Sequence, residues 1–309
     1  MKPSVGDTSG PGYGHPLSWS RTVDREMVHR ASVAEVLLTD VRPDRDGGFA
    51  AAASWPRSHT TFPRDGTDLH SPLVMVETLR QLGIYVSLRY LGVPDDAHLL
   101  ITDLRFSLRP DQEPRVGHGC TEVTCQVAVS GIRRGGNGVT NGLRLDVTYL
   151  ADGTAFARAG GGARFVDPGR YAALRADRLT ASPPPPTTGG RPAPALLAVA
   201  ERRDVVITRR ADTPTVEPAD PNHPFFFDHP TDHVSGMVLL EAARQAAAAA
   251  SGGALRRPTS GCLIATRFTE FAPAARVDCL PHHRTCVFRI RQDGGCTAYG
   301  VLGYGRHAP

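Results

Sequence analysis

Asp232-His233-Val234-Ser235-Gly236-Met237-Val238-Leu239-Leu240-Glu241-Ala242-Ala243-Arg244-Gln245 decides how this chain is read. A polar turn carrying a histidine runs into a helix that is apolar on every face. Only Glu241, Arg244 and Gln245 interrupt it, and the run continues to Ala250. A helix without a polar stripe is a buried helix. Residues three apart share one side of a helix, so Glu241 and Arg244 pair as carboxylate and guanidinium in apolar surroundings. Buried charge is costly unless it is paired or used, so the pair needs an explanation.

Working outward, the same pattern stands 164 residues earlier. Pro72 is well placed as the first residue of a helix reaching about residue 91, again apolar and interrupted by Glu77, Arg80 and Gln81. At that offset Asp68 matches Asp232, Ser71 matches Ser235, and Glu77, Arg80 and Gln81 match Glu241, Arg244 and Gln245. His59 matches His223 and Phe62 matches Phe226. At a slightly larger offset Glu35-Val36-Leu37-Leu38-Thr39 aligns with Asp204-Val205-Val206-Ile207-Thr208, and Thr124-Cys125 falls near Thr285-Cys286. Such ordered coincidence is a tandem duplication.

Period-two alternation and apolar runs predict strands near 32–39, 48–54, 99–108, 121–130, 143–150 and 156–165, with Asn137-Gly138 as a hairpin turn. In the second half strands are expected near 204–208, 262–271, 284–292 and 296–304. Each half then reads as strands, a long helix, and further antiparallel strands. A helix apolar all round must be wrapped by its sheet. The expected fold is therefore α+β, a tandem (double) hot-dog, each half a long central helix in a curved antiparallel sheet. The expected division is a disordered lead-in over 1–24, a first domain over 25–170, a Pro/Gly-rich linker over 171–195 and a second domain over 196–309.

Composition excludes other classes. The 309 residues are 40% hydrophobic and 21% charged, as in an ordinary globular chain, with a net charge of only +4. No run of eighteen apolar residues exists, so no membrane span is expected, and the N-terminus does not read as a signal peptide. No clustered basic face or reading motif suggests nucleic acid. Six cysteines lack CxxC spacing, which suggests free thiols in a reducing cytoplasm and no zinc site. GxSxG, GxGxxG and phosphate-loop motifs are missing, so neither a serine nucleophile nor a nucleotide cofactor is supported.

The bland reading of Glu77–Arg80 and Glu241–Arg244 is a helix-surface ion pair worth about 0.2–0.5 kcal/mol. It fits poorly where no solvated face exists and the pattern occurs twice. A glutamate in an apolar pocket has a raised pKa suited to acid–base work, but an adjacent arginine lowers it again, and sequence leaves open which effect wins. His233 and His229 lie in the loop before the second helix; Asp232 either caps that region or orients His233. In the first half Leu69 stands in place of His233, and His70 follows one position later, so the halves differ chemically. His59 and His223 read as structural. Phe225-Phe226-Phe227 reads as core or acyl-pocket wall. Arg202-Arg203 and Arg209-Arg210 could meet an acidic carrier protein, though a solvated face is the commoner reason for such pairs.

Val28 to Asp40, Trp55-Pro56-Arg57-Ser58-His59 and the block from Phe227 to Gln245 resemble the AfsA family, the A-factor or γ-butyrolactone biosynthesis proteins of streptomycetes, over about residues 28 to 304. The resemblance implies two tandem hot-dog domains acting as an internal pseudo-dimer, with a homodimer left open. It implies an acyltransferase that moves a β-ketoacyl group from an acyl carrier protein to the hydroxyl of dihydroxyacetone phosphate. The phosphorylated ester then leads to a γ-butyrolactone, butenolide or furan signal, without metal or cofactor. On that chemistry Glu241, His233, Glu77 and Asp232 are the catalytic candidates, and Arg244 or Arg80 is the phosphate clamp. Gly236 would offer backbone N–H groups to the thioester carbonyl. Gln245, Gln81 and His229 complete the substrate-binding candidates, and the second half is favoured for turnover. Gly236 and Glu241 keep a spacing also seen in dehydratase hot-dogs, but Ser235 replaces the proline and the histidine position falls on Phe227. A hot-dog thioesterase or dehydratase, and a non-catalytic acyl or butyrolactone binder, are the alternatives.

Overall fold

The computed structural model describes residues 16–57, 67–136, 138–178 and 190–305. The first half comprises β1 (Leu38–Pro43), β2 (Phe49–Pro56), α1 (Pro72–Tyr90), β3 (His98–Leu108), β4 (Cys120–Arg134), β5 (Thr140–Ala151) and β6 (Thr154–Val166). Two helices follow, α2 (Pro168–Arg175) and α3 (Pro194–Leu197). The second half then runs β7 (Ile207–Arg210), β8 (Thr213–Val216), α4 (Gly236–Ala250), β9 (Ser260–Ala265), β10 (Arg276–His282), β11 (Thr285–Gln292) and β12 (Gly295–Gly303).

The twelve strands among the described residues form one sheet, in the order β1-β2-β4-β5-β6-β3-β9-β12-β11-β10-β8-β7. The order mirrors itself about the β3–β9 pair, where Asp103 to Ser107 align antiparallel with Ile264 to Ser260. The chain is thus a tandem hot-dog whose halves share a continuous sheet. The alternating inner residues Leu143, Leu145, Val147 and Tyr149 of β5 are buried, as are Met237 to Ala248 along α4, with Glu77 and Glu241 at 0% exposure. Ser71 and Ser235 cap the two helices as matched residues, accepting from Leu73 N and Val238 N.

Several elements depart from the sequence reading. Residues 33–35 and 202–204 are 3-10 turns, not strand, and pairing begins only at Leu38 and Ile207. The reason is visible in Gln81 and Gln245. Gln81 accepts from Leu37 N (2.9 Å) and donates to Glu35 O (2.8 Å); Gln245 accepts from Val206 N (2.9 Å) and donates to Asp204 O (2.8 Å). Side-chain amides take the backbone groups a neighbouring strand would have used. The expected strand at 262–271 stops at Ala265, while β8, β10, α2 and α3 were not foreseen. Thr124-Cys125 lies on β4 but Thr285-Cys286 opens β11, whose counterpart in the mirrored order is β5, so that match is not an equivalence. Residues 16–24, counted with the lead-in, bond to β1 through Ser18 N to Asp40 and Val23 N to Leu38 O. His59, Phe62, Asn137, the 182–189 run and residues 1–15 lie outside the described residues.

Candidate active site

Glu77 is the hub of a buried cluster. Its Oε1 accepts from Arg30 (Nη2, 2.8 Å), Arg80 (Nη2, 3.0 Å) and Gln81 (2.7 Å), and its Oε2 from Arg80 Nε (2.9 Å). Burial pushes the Glu77 carboxyl up, but Arg30 and Arg80 outweigh it and bring the pKa down to about 2. The question left open by sequence is settled for this residue: Glu77 is an ionised anchor. Glu241 repeats the arrangement with one guanidinium, accepting from Arg244 at 2.7 and 2.6 Å and from Gln245 at 2.7 Å. Arg30, which sequence did not single out, has Val199 at its counterpart position, since Arg80 donates to Val28 O and Arg244 to Leu197 O.

The two arginines differ in what they leave over. Arg244 spends Nη1 on the carbonyls of Leu197 (2.7 Å) and Arg256 (2.8 Å), besides its double bond to Glu241. Arg80 places Nε and Nη2 on Glu77 and Val28 O, and its Nη1 has no acceptor among the described residues. Gln81 and Gln245 are fully buried and occupied with backbone and glutamate. They fasten the helix to the strand entry, so their amides are engaged within the protein where the sequence reading assigned them to substrate.

The loop before α4 carries a second constellation. His233 Nδ1 donates to Asp232 Oδ1 (2.7 Å), because a carboxylate can only accept. Nε2 has no partner among the described residues. Asp232 also accepts from Tyr171 OH (2.8 Å) and Arg175 Nε (2.9 Å), and Arg175 forks onto Glu270 at 2.6 and 2.8 Å. The His233 bond first, then Arg175 and Tyr171, hold the Asp232 carboxyl well below the usual range against its burial. Asp232 therefore orients His233, while the cap is Ser235. Tyr171 stacks on His98 with ring centroids 3.7 Å apart. Tyr171 and Arg175 belong to α2, whose approach to this loop had no sequence signal.

The halves exchange partners. Arg30 donates to Phe225 O (2.9 Å), and Asp228 accepts from Ala31 N (2.6 Å) and Ser32 N (3.2 Å). These bonds carry Glu77, Arg80 and His29 to the loop holding His229, Asp232 and His233. Burial, then Arg80, His229 and His98, lower His29 to about 4, and burial with Arg80 and Arg30 lowers His229. At about 4, His29 is neutral at pH 7. An apolar cavity of about 470 Å³, open mouth included, adjoins Arg80 and runs between α1 and the sheet to Met237 in the first turn of α4. Glu241 and Arg244 face instead the start of α1, in a small polar pocket with His70, Ser71, Pro72 and Arg257. Arg257 is forked onto Glu113 and donates to His70 O (2.9 Å). Thus Glu241 and His233, expected to act together, share neither a bond nor that pocket.

His223 bonds Asp204 (3.0 Å) and is 1% exposed; Phe225 and Phe226 are core. Arg203, Arg209 and Arg210 pair with Glu201, Asp212 and Glu217. No helix among the described residues is long and apolar enough to cross a membrane.

The sequence profile of the A-factor biosynthesis hotdog domain matches residues 15–167 and 196–272. The chain belongs to the AfsA family. Among curated AfsA relatives, the 2-oxo-3-(phosphooxy)propyl 3-oxoalkanoate synthase of Streptomyces virginiae is 39% identical, covering 83% of this chain and 84% of the relative. The Streptomyces coelicolor protein of that name is 33% identical over 81% and 79%, and the Streptomyces griseus protein 34% identical over 80% and 81%. Both AfsA blocks span the two half-sites, the second ending within the loop after β9.

Proposed function

We propose that this AfsA protein is a cytoplasmic acyltransferase that joins a β-ketoacyl group, delivered as an acyl-carrier-protein thioester, to the hydroxyl of dihydroxyacetone phosphate. The relatives' name describes that product, a 3-oxoalkanoate ester of a 2-oxo-3-phosphooxypropyl group. The single observation that carries the reading on this chain is Arg80. A largely buried guanidinium held by Glu77 lines an apolar cavity and keeps Nη1 without an acceptor among the described residues, so an anion and an alkyl chain can be held side by side.

In this reading turnover occurs where the first half's Glu77–Arg80 cluster meets the second half's helix start. Glu77 stays ionised and fixes Arg80, whose Nη1 takes the phosphate, while Arg244 and Glu241 are the structural counterpart. The acyl chain lies in the cavity. The N–H groups of Gly236 and Met237, which have no acceptor among the described residues, receive the thioester oxygen as it becomes an oxyanion. His233, fixed through Nδ1 by Asp232, accepts the hydroxyl proton at Nε2 as the alcohol attacks. The carbon–sulfur bond of the resulting tetrahedral intermediate then breaks, and the thiolate leaves with that proton. His29 and His229, whose pKa values Arg80 helps to lower, contact the phosphate.

Purified protein, a β-ketoacyl thioester and dihydroxyacetone phosphate test the proposal. Mass spectrometry should find the phosphorylated ester together with one free thiol per turnover. Free β-keto acid in its place identifies a thioesterase, an enoyl product a dehydratase, and saturable binding without turnover a receptor-like protein.

A further inference from the structure

We infer that Gly83 sets the size of the acyl chain this protein accepts. The inference rests on the acyl-transfer reading and extends it to a property of the substrate that the family relationship leaves open. Gly83 stands in the middle of α1, where glycine is the poorest residue short of proline, so its presence calls for a reason. The surroundings supply one. A Cβ built on Gly83 meets nothing within 4 Å, and Gly83 lines the apolar cavity beside Arg80. The helix leaves a gap where any side chain would project.

The sheet contributes a second bare position to the same cavity. Gly161 of β6 also lines it, and a Cβ there would come within 2.5 Å of Asp103 O, so no side chain can occupy the position. The cavity is therefore a slot with a side-chain-free position on the helix and another on the sheet, lined beside them by Leu79, Leu104 and Leu145. Its lining follows α1 from Val76 to Gly83, about 10 Å at the helical rise of ~1.5 Å per residue. That length suits roughly eight extended carbons, since each sp³ bond of ~1.5 Å advances the chain by about 1.3 Å. The second half has no such gap in its helix: the position matching Gly83 is Ala247, which is fully buried. The glycine gap lies on the α1 side, next to Arg80.

The test compares β-keto thioesters of four and eight carbons with dihydroxyacetone phosphate, using the full chain and its Gly83→Ala and Gly83→Leu variants. Gly83→Leu should lower kcat/KM for the eight-carbon donor at least about tenfold, since each excluded methylene forfeits roughly a fourfold factor. The four-carbon donor should stay within about threefold of wild type, and Gly83→Ala should fall between. Both variants should melt at or above the wild-type temperature, because either residue favours helix over glycine. That combination separates a filled slot from a damaged fold. An unchanged ratio of eight- to four-carbon activity, or an equal fall for both donors in a folded variant, overturns the inference. If the wild type yields only free acid, the acyl-transfer reading fails. The chain-length ratio for hydrolysis then still decides whether Gly83 gates the slot.

Discussion

Pro72 and Gly236 occupy the first helical position of α1 and α4, behind matched serine caps, and only Gly236 has an N–H to offer. At α1 the next donor, Leu73 N, is already taken by Ser71 Oγ (3.3 Å). At α4 the Ser235 side chain reaches past two residues to Val238 N, and the N–H groups of Gly236 and Met237 have no acceptor among the described residues. One duplicated helix start thus keeps unengaged donors among the described residues while the other does not. The start that kept them faces Arg80 and the apolar slot.

Gly236→Pro converts the second helix start into a copy of the first. Proline is tolerated at this position, and the extended Ser235 backbone (ψ 155°) suits the residue before it. The fold should therefore survive, with an unchanged melting temperature, while kcat falls about 10²–10³-fold, the usual loss of one oxyanion donor. Full activity in the variant would remove α4 from the chemistry.

Asp232→Asn keeps the shape beside His233 but no longer fixes its Nδ1–H tautomer. Steady-state kinetics should show kcat reduced by about two to four orders of magnitude with KM nearly constant. A change in KM alone would mean that Asp232 shapes the loop and leaves the proton transfer untouched.

Arg80→Ala and Arg244→Ala should separate by what they damage. Loss of Arg80 should raise KM for dihydroxyacetone phosphate about 10–100-fold, the worth of a charge-assisted bond to phosphate, because Arg30 still balances Glu77. Loss of Arg244 leaves Glu241 as a buried charge without a cation, which costs about 3–5 kcal/mol of stability. The surviving folded fraction should bind the phosphate substrate normally. Denaturant titration alongside kinetics distinguishes the two.

Glu77 gives a pH signature in stability. Its folded pKa of about 2 lies below the ordinary value of 4.5, so its contribution is fully present above pH 4.5 and is lost as pH falls toward 2. The shift corresponds to about 3 kcal/mol at ~1.36 kcal/mol per unit. Urea unfolding between pH 5 and 2.5 should show this loss in the wild type. Glu77→Gln should be less stable at pH 7 and flatter over that window; a parallel pH profile would contradict the assignment.

Much of the molecule was legible in its residues. The apolar helix around Glu241, its copy around Glu77 and the offset joining them fix a duplicated helix-in-sheet architecture, because a helix without a polar face must be enclosed. The short strands β8 and β10 were not legible, since Pro214 and Pro281 interrupt their patterns and their pairing comes only from neighbours. Nor was α2, whose Tyr171 and Arg175 find Asp232 some sixty residues away.

The sequence by itself determined that two Glu–Arg–Gln clusters exist, that His233 follows Asp232, and that Pro72 answers Gly236. Only the tertiary structure decided which of these meet. An offset along the chain compares each half with itself, whereas the β3–β9 junction sets each half's acid beside the other half's helix start. Hydrogen bonds from Arg244 to Leu197 and Arg256 spend one guanidinium on backbone, and those around Arg80 leave a nitrogen free. That difference depends on where carbonyls fall in space, which residue identities and spacings do not encode.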